Sequence, residues 1–152
     1  MIAVASSHNH DFVKSLGASS AFDYKSSSVI DDVVKAVNDT GANNFYGVYD
    51  AISTADSYKI TVPILEKLGQ GNLATTLPGP ENLPKASKTG NVFAISEVTY
   101  PLWSSYITQA LEQGKLKAVP EPQVVGKGLE YVQKGLDANK AGVSAKKVVI
   151  EL

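Results

Sequence analysis

Cysteine and arginine are both missing from this sequence of 152 residues, and histidine occurs only twice. Without cysteine the chain forms no disulfide, no thiolate metal site and no cysteine nucleophile. All 14 basic residues are lysines, so the chain also lacks the planar guanidinium that grips phosphate or carboxylate with two parallel hydrogen bonds. Only His8 and His10 could serve as imidazole bases or ligands.

Long apolar runs and an excess of charge are missing as well. No segment approaches the roughly 20 apolar residues that a membrane helix needs. The apolar start Met1–Ala5 is too short for a signal peptide and has no basic leader, so we expect a cytoplasmic protein with no membrane partner. The 14 basic residues balance 15 acidic ones and form no basic stripe, which argues against nucleic acid as a partner.

Short apolar runs alternate with amphipathic segments along the chain, and this pattern predicts an α/β fold with a mostly parallel sheet flanked by helices. The length suits a single domain over residues 1–152. The second helix is predicted to begin at Ser28, with Asp31 completing a capping box. The predicted strands are Met1–Ala5, Ala21–Asp23, Phe45–Ala51, Leu73–Leu77, Val92–Ile95 and Lys147–Leu152. Helices are predicted at Asp11–Leu16, Ser28–Gly41, Ser53–Leu68, Leu102–Gly114 and Leu129–Leu136.

Two glycine-containing segments resemble phosphate-binding loops in the spacing of their glycines. Gly69–Ala74 matches the pattern G-x-G-x-x-A, but it follows a predicted helix and precedes a strand, the reverse of the order that such a loop needs. The segment Gly126–Gly128 opens a helix, but no strand is predicted before it. We therefore expect a helix end at Gly69 and no phosphate loop at either place.

The segment Ser6–His10 is the strongest candidate for a binding site. It follows a predicted buried strand and precedes a helix, and open α/β sheets bind ligands outside the carboxyl ends of their strands. Its hydroxyls, amide, imidazoles and helix-start N–H groups are all able to donate to an anion. Polar residues are also ordinary helix caps, so a purely structural role for the segment stays open.

No catalytic residue and no metal site is predicted. His8 and His10 are two residues apart near a helix start, so they face different ways, and no third ligand accompanies them. A Ser–His–Asp triad of Ser6, His8 and Asp11 is argued against because adjacent residues rarely converge and because the motif G-x-S-x-G is not present.

Four sequence pieces, taken in order, carry a family resemblance. The first is Ile2–Ser7 with Phe12–Ala18 and Ala21–Tyr24, the second is Val48–Ile52, the third is Leu65–Gly71, and the fourth is Gln113–Lys117 with Lys146–Ile150. Together they resemble the medium-chain dehydrogenase/reductase superfamily over essentially the whole chain. The sequence is most similar to the zinc-free branch of quinone oxidoreductases and fungal trans-acting enoyl reductases, and Ser6–Asn9 looks especially like the fungal group.

The resemblance implies a Rossmann-like fold that binds NADPH. It places Ser6–Asn9 where the family holds the adenosine-side phosphate and Tyr24 beside the adenine. Serines follow the strand where an NAD-binding protein has an acidic residue, and this resembles NADPH preference. The implied cofactor-binding residues are Ser6, Ser7, His8, Asn9, Tyr24, Thr75, Thr76 and Gly142. The implied residues on the substrate side are Phe93, Ala94 and Ile95.

The family's catalytic domain, and the first strand, Gly-rich turn and first helix of its Rossmann domain, have no counterpart in the sequence. In the strand order 3-2-1-4-5-6 the missing strand would separate Met1–Ala5 from Phe45–Ala51, which leaves two unpaired edges. These edges could pair directly, Lys147–Leu152 could fill the gap, or a companion chain could supply a strand. We expect direct pairing together with a homodimer through Val92–Ile95.

Two functions are compatible with the sequence. The first is the nucleotide-binding half of an NADPH-dependent alkene, quinone or enoyl reductase, with weak or residual cofactor affinity and no catalysis by the chain alone. The second is a non-catalytic binding or assembly protein that reuses the fold. The missing turn favours the second function, whereas the family resemblance favours the first.

Overall fold

Strands and helices alternate along the chain in a computed structural model that describes residues 1–41, 45–92, 96–97 and 99–152. The chain divides into two compact units, Met1–Ser96 and Glu97–Leu152. The single domain over residues 1–152 stays a prediction. The first unit contains β1 (Ile2–Val4), α1 (His10–Ser15), β2 (Ser20–Phe22), α2 (Val29–Asp39), β3 (Gly47–Asp50), α3 (Ala55–Leu68), β4 (Asn72–Thr75) and β5 (Thr89–Asn91).

Every strand pair in the described part of the chain is parallel, which confirms the predicted α/β class. In the first unit β1 pairs with β2, and β3, β4 and β5 form a second sheet in that order. Val4 lies opposite Phe22 in the first sheet. In the second, Asp50 lies opposite Thr75, which in turn lies opposite Asn91.

Helices α2 and α3 form the core of the first unit. Val29 and Val33 of α2 and Ile64 of α3 are buried together in one cluster. Phe22 of β2 and Val48 of β3 pack against this cluster from two different sheets. Between the described strands no ladder joins β1–β2 to β3–β4–β5, so apolar packing on the two helices connects them.

The start of α2 differs from the sequence prediction. The Ser28 hydroxyl donates to the Asp32 carboxylate at 2.7 Å and makes no side-chain capping bond, so the capping box predicted with Asp31 is wrong. Ser28 has φ −95° and ψ 0°, outside the extended region that capping residues adopt. Asp31 forms an ion pair with Lys67 of α3 instead.

Helix α3 has a defined start and end. Thr54 and Ser57 form a reciprocal capping box, with Thr54 N donating to Ser57 Oγ at 3.0 Å. The helix ends at Gly69, which has a left-handed φ of 66° and donates its N–H to the carbonyls of Leu65 and Glu66. This confirms the prediction that Gly69 ends a helix. Pro63 lies inside the helix.

The predicted direct pairing of Met1–Ala5 with Phe45–Ala51 is wrong. Among the described residues β1 pairs with β2 alone and β3 pairs with β4 alone, so β1 and β3 each keep one open edge. The strand Lys147–Glu151 does not fill this place, because it pairs in the second unit. The core packing holds both sheets, while β1 and β3 each keep an edge with no strand partner among the described residues.

The fifth strand begins earlier than the sequence predicts. β5 covers Thr89–Asn91, before the predicted segment Val92–Ile95. The N–H of Val92 continues the ladder by donating to the Thr75 carbonyl at 2.7 Å. Phe93–Ile95 lie outside the described residues, as does the predicted dimer contact through them.

The second unit contains a strand that the sequence analysis missed. β6 (Pro122–Lys127) pairs in parallel with β7 (Lys147–Glu151), and Gly128 then leads into a turn of 3-10 helix and α5 (Val132–Ala141). The statement that no strand precedes Gly126–Gly128 is therefore wrong. Proline and glycine are disfavoured inside strands, so Pro122 and Gly126 weaken the sequence signal for β6. In the structure Gly126 leaves room for the Tyr131 ring, which occupies the space that a Cβ would need.

The helix predicted over Leu102–Gly114 is not α-helical throughout. Leu102–Tyr106 is π-helical, and α4 (Ile107–Glu112) follows it directly.

Within the described ranges, no helix combines the length and the apolar character that crossing a bilayer requires.

Gly47 is expected to be the position in the second sheet least tolerant of a side chain. It has φ 143°, and a Cβ there would lie 2.0 Å from the Asn72 backbone oxygen. Gly47→Ala should lower the free energy of unfolding by about 3 kcal/mol or more in urea titrations. Gly90→Ala in β5 is the matched control, because a Cβ there meets nothing within 4 Å. Equal losses for the two variants would contradict this prediction.

Candidate functional site

The polar segment Ser6–His10 lies where the sequence analysis placed it, directly after β1. Ser7–Asn9 form a turn of 3-10 helix that leads into α1. The N–H of Ala5 donates to the Phe22 carbonyl at 2.9 Å and extends the ladder to the start of this segment. The structure therefore places these polar residues beyond the carboxyl end of a parallel strand, where open α/β sheets bind ligands.

Ser6 and Tyr24 are brought together from separate parts of the sequence. The Ser6 hydroxyl donates to the Tyr24 phenol oxygen at 3.3 Å, and the Lys25 ammonium lies 5.7 Å from the centre of the Tyr24 ring. His10 is half-buried, and its Nε2 lies 3.2 Å from the Ala5 carbonyl. Because a carbonyl only accepts, this contact needs the proton on Nε2, and it ties α1 to the end of β1.

Asp23 is a residue of this site that the sequence analysis missed. Its Oδ1 accepts from the Lys25 N–H at 2.9 Å. This bond holds the pKa of the Asp23 carboxyl below its usual value, desolvation opposes the shift, and the hydroxyl and N–H of Ser7 lower the pKa further. A negative charge thus lies against Ser7, inside the segment predicted to bind an anion. The pairing of β1 with β2 was the available signal, because Val4 lies opposite Phe22 and the residues that follow each strand, Asp23 among them, therefore leave the sheet at the same end.

A second polar group lies at the carboxyl ends of β3, β4 and β5. Asp50, Thr75 and Asn91 are cross-strand neighbours, and the fully buried Thr75 donates its hydroxyl to Asn91 Oδ1 at 3.0 Å. The predicted residue Thr75 therefore lies in a row of polar residues that crosses the sheet, and it is hydrogen-bonded to one neighbour, Asn91. Asp50 and Asn91 were not predicted as site residues.

The turn after β3 fixes the predicted residue Thr76. Ser53 is buried with an unusual φ of 53°, and its N–H donates to Asp50 Oδ1 at 2.8 Å. Ser53 Oγ donates to the Asp50 carbonyl at 2.6 Å and accepts from the Thr76 N–H at 2.9 Å. The Ile52 N–H also donates to Asp50 Oδ1, at 3.0 Å. Asp50 and Ser53 thereby position Thr76 at this edge of the sheet.

The remaining predicted residues are spread more widely. Gly142 belongs to the second unit, where it ends α5 with φ 90° and donates its N–H to the Asn139 carbonyl at 3.1 Å. Phe93, Ala94 and Ile95 lie outside the described residues. No group of three or more histidine, aspartate or glutamate side chains suited to a metal ion occurs in the part of the chain that the structure describes.

Ser7→Ala is expected to raise the pKa of Asp23, because it removes a hydroxyl that favours the charged carboxylate. The folded pKa lies below the unfolded one, so Asp23 contributes stability above the unfolded pKa and loses it as the pH falls through the folded pKa. Ser7→Ala should therefore reduce the acid loss of stability, measured by urea unfolding from about pH 5 to pH 2.

Carbon NMR of the Asp23 carboxyl gives the matching titration midpoint. Ser19→Ala is the control, since the Ser19 hydroxyl donates to the Met1 carbonyl and not to Asp23. An Asp23 midpoint that is the same in the unsubstituted chain and in Ser7→Ala would contradict the assigned contact.

Curated relatives match the chain over its full length. Dehydrogenase orsE from Emericella nidulans is 45% identical over 152 residues, which are 100% of this chain and 43% of that protein. Trans-enoyl reductase himH from Aspergillus japonicus is 35% identical over 158 residues, 100% of this chain and 45% of that protein. The chain thus spans about half the length of the curated relatives it matches. No family model matches the chain.

A solved structure shares the fold. The crystal structure of CurA from Vibrio vulnificus in complex with NADPH matches with a TM-score of 0.63 at 17% identity, and the match covers 99% of this chain and 48% of that one. The resemblance predicted from the sequence is therefore confirmed: over its whole length the chain is similar to the C-terminal half of these dehydrogenases and trans-enoyl reductases, and it shares the fold of CurA.

Proposed function

We propose that the chain is the nucleotide-binding half of an NADPH-dependent reductase of alkene, enoyl or quinone substrates, and that it is not catalytic alone. The names of its relatives, dehydrogenase and trans-enoyl reductase, support the reaction class. One structural observation carries the binding role: Ser6 contacts Tyr24 beyond the carboxyl end of β1, where a Rossmann sheet receives a nucleotide.

The residues around Ser6 fit the adenosine side of NADPH with reduced affinity. The Ser6 and Ser7 hydroxyls, the Asn9 amide and the His8 imidazole offer donors to a 2′-phosphate, and the Tyr24 ring offers a face to the adenine. Asp23 opposes this, because its carboxylate already accepts from Ser7. The chain also has no arginine to offset that charge. Affinity is therefore weak or residual.

The family resemblance also assigns Thr75 and Thr76 to the cofactor cleft and Gly142 to a contact near the C terminus. Thr76 is exposed at the end of β4 and fits that role, whereas Thr75 is fully buried and donates to Asn91, so it does not line an open cleft. Phe93, Ala94 and Ile95 stay predicted residues of the substrate side. NADPH supplies the hydride when it is bound. This chain's residues bind and orient the cofactor, and none of them is assigned an acid or base role.

β1 and β3 each have an open edge that another strand could pair with. We propose that a second copy of this chain or a companion chain supplies that strand and completes the sheet. Each open edge presents backbone N–H and C=O groups that need hydrogen bonds. The lengths of the relatives support a companion, because they contain a region that this chain does not cover.

A second candidate is a non-catalytic binding or assembly protein. The same open edges favour it, because strand addition at an exposed edge is a common mode of protein recognition. An assay with NADPH and an enoyl thioester or a quinone separates the two candidates. Steady NADPH oxidation by the purified chain would overturn the proposal that it is not catalytic alone.

Adenosine 2′-phosphate is expected to bind more tightly than adenosine. Its affinity should be near millimolar, about 4 kcal/mol, because the chain offers the phosphate hydroxyls but no Gly-rich turn. Replacing both Ser6 and Ser7 with Ala should abolish the preference, whereas Ser19→Ala should leave it intact. Titration by NMR shifts measures both ligands. Equal affinities, or shifts centred away from Ser6–His10 and Tyr24, would contradict the proposed nucleotide site.

The purified chain is expected to be a dimer or larger at micromolar concentration, because strand edges open to solvent recruit partners. Multi-angle light scattering measures the mass directly. A chain that remains monomeric at high concentration would leave a companion of different sequence as the proposed partner and would contradict the homodimer.

A further inference from the structure

Asp50 has a carboxylate oxygen that no described residue satisfies. Its side chain is 95% buried, since Asp50 retains 5% of its accessible surface. Oδ1 accepts two backbone N–H groups, from Ile52 and Ser53. Oδ2 is buried and has no hydrogen-bond partner among the described residues. Burying a hydrogen-bond acceptor without a donor raises the free energy of the folded state, and the cost is larger for a carboxylate oxygen. We therefore expect a hydrogen-bond donor next to Oδ2 in the complete protein.

The neighbouring hydroxyls do not supply that donor. Thr75, directly across the ladder, donates to Asn91. Ser53 donates to the Asp50 carbonyl. Thr76 donates to the Ala51 carbonyl at 3.2 Å or to Ser53 Oγ at the same distance. Each nearby hydroxyl proton therefore has an acceptor other than Oδ2.

Asp50 also stands at one end of the polar row, beside an open strand edge. The row runs from Asn91 in β5 through Thr75 in β4 to Asp50 in β3. The next position would belong to a strand paired with the free edge of β3, and the described chain has no strand there. The buried oxygen without a donor and the strand edge without a partner thus occur at the same residue.

We propose that the strand that pairs with the open edge of β3 carries an uncharged N–H or O–H group that donates to Asp50 Oδ2. The occupant is a parallel strand from the region of the relatives that this chain does not cover, which makes up more than half of the length of orsE. This inference rests on the proposed completion of the sheet and adds the group by which the completing strand is recognised. A carboxylate at that position would be excluded by repulsion.

Asp50→Asn tests the proposal because it changes one atom of the contact. The amide keeps an oxygen for the N–H groups of Ile52 and Ser53 and replaces the unpaired oxygen by an NH₂ donor. In the isolated chain this removes the buried acceptor that has no donor, and Tm should rise by about 4 °C. In a chimera that joins the region of orsE preceding the match to this chain, two donors should face each other, and Tm should fall by about as much.

Asp56→Asn is the matched control, because Asp56 is exposed at the start of α3 and pairs with Lys59. Its effect should have the same sign in the chain and in the chimera. When the orsE region is added as a separate polypeptide, Asp50→Asn should weaken its binding about tenfold, or about 1.4 kcal/mol. The separate polypeptide keeps the test decisive if the chimera does not unfold cooperatively.

Three outcomes would overturn the proposal. A lower Tm for Asp50→Asn in the isolated chain would contradict the unsatisfied state of Oδ2, because the amide keeps an acceptor for the two N–H groups of Ile52 and Ser53. If Asp50→Asn changes Tm in the same direction in the isolated chain and in the chimera, the added strand does not supply the donor and a buried water does. A fall in the chimera that needs added NADPH would assign the donor to the nucleotide. If Asp50→Asn raises Tm in the isolated chain and lowers it in the chimera, and the chimera does not bind NADPH, this inference stands and the proposed function is refuted.

Discussion

The contact between α2 and α3 is the interaction on which the first unit depends. Val29, Val33 and Ile64 form its buried centre, and Phe22 and Val48 bring one sheet each to it. No strand pairing between the described residues connects those sheets. Apolar burial, which has no directional requirement, therefore holds together two sets of strands that no described backbone ladder joins.

Both polar clusters follow from the same arrangement, because each lies where parallel strands end. At Ser7 the hydroxyl and the N–H contact the Asp23 carboxylate, so these donors are already engaged within the protein. At Asp50 the N–H groups of Ile52 and Ser53 donate to Oδ1, while Oδ2 has no partner among the described residues. Donors of the first cluster are thus used within the protein, whereas the second cluster retains an acceptor that the described residues leave unused.

Sequence patterns predicted the elements better than their partners. The helical stripe of α2 and the stop at Gly69 follow from local chemistry, and both are present. Strand pairing is not local: the predicted pairing of β1 with β3 was wrong, because helix packing decides where the sheets lie. β6 was missed because Pro122 and Gly126 hide a strand that its pairing with β7 stabilises.

The candidate site was predictable only in part for the same reason. Ser6 and Tyr24 follow two strands that could be recognised in the sequence, and the structure brings them into hydrogen-bond contact, while their binding roles stay predictions. Asp23 was detectable only through the pairing of β1 with β2, and Asp50 gave no sequence signal, because its importance comes from burial and from its neighbours across the sheet. For Asp50 the decisive fact is the lack of a donor, which only a three-dimensional arrangement reveals.

The pairing of α2 with α3 also has a consequence for the order of folding. These helices are close in sequence and are joined through the short strand β3, so their contact closes a small loop and should form early. If a separate polypeptide completes the sheet as proposed, its strand would bind to a surface that is already folded. Completion of the sheet would then be a binding step whose rate rises with the concentration of that polypeptide, and the folded population of the assembly would rise with it.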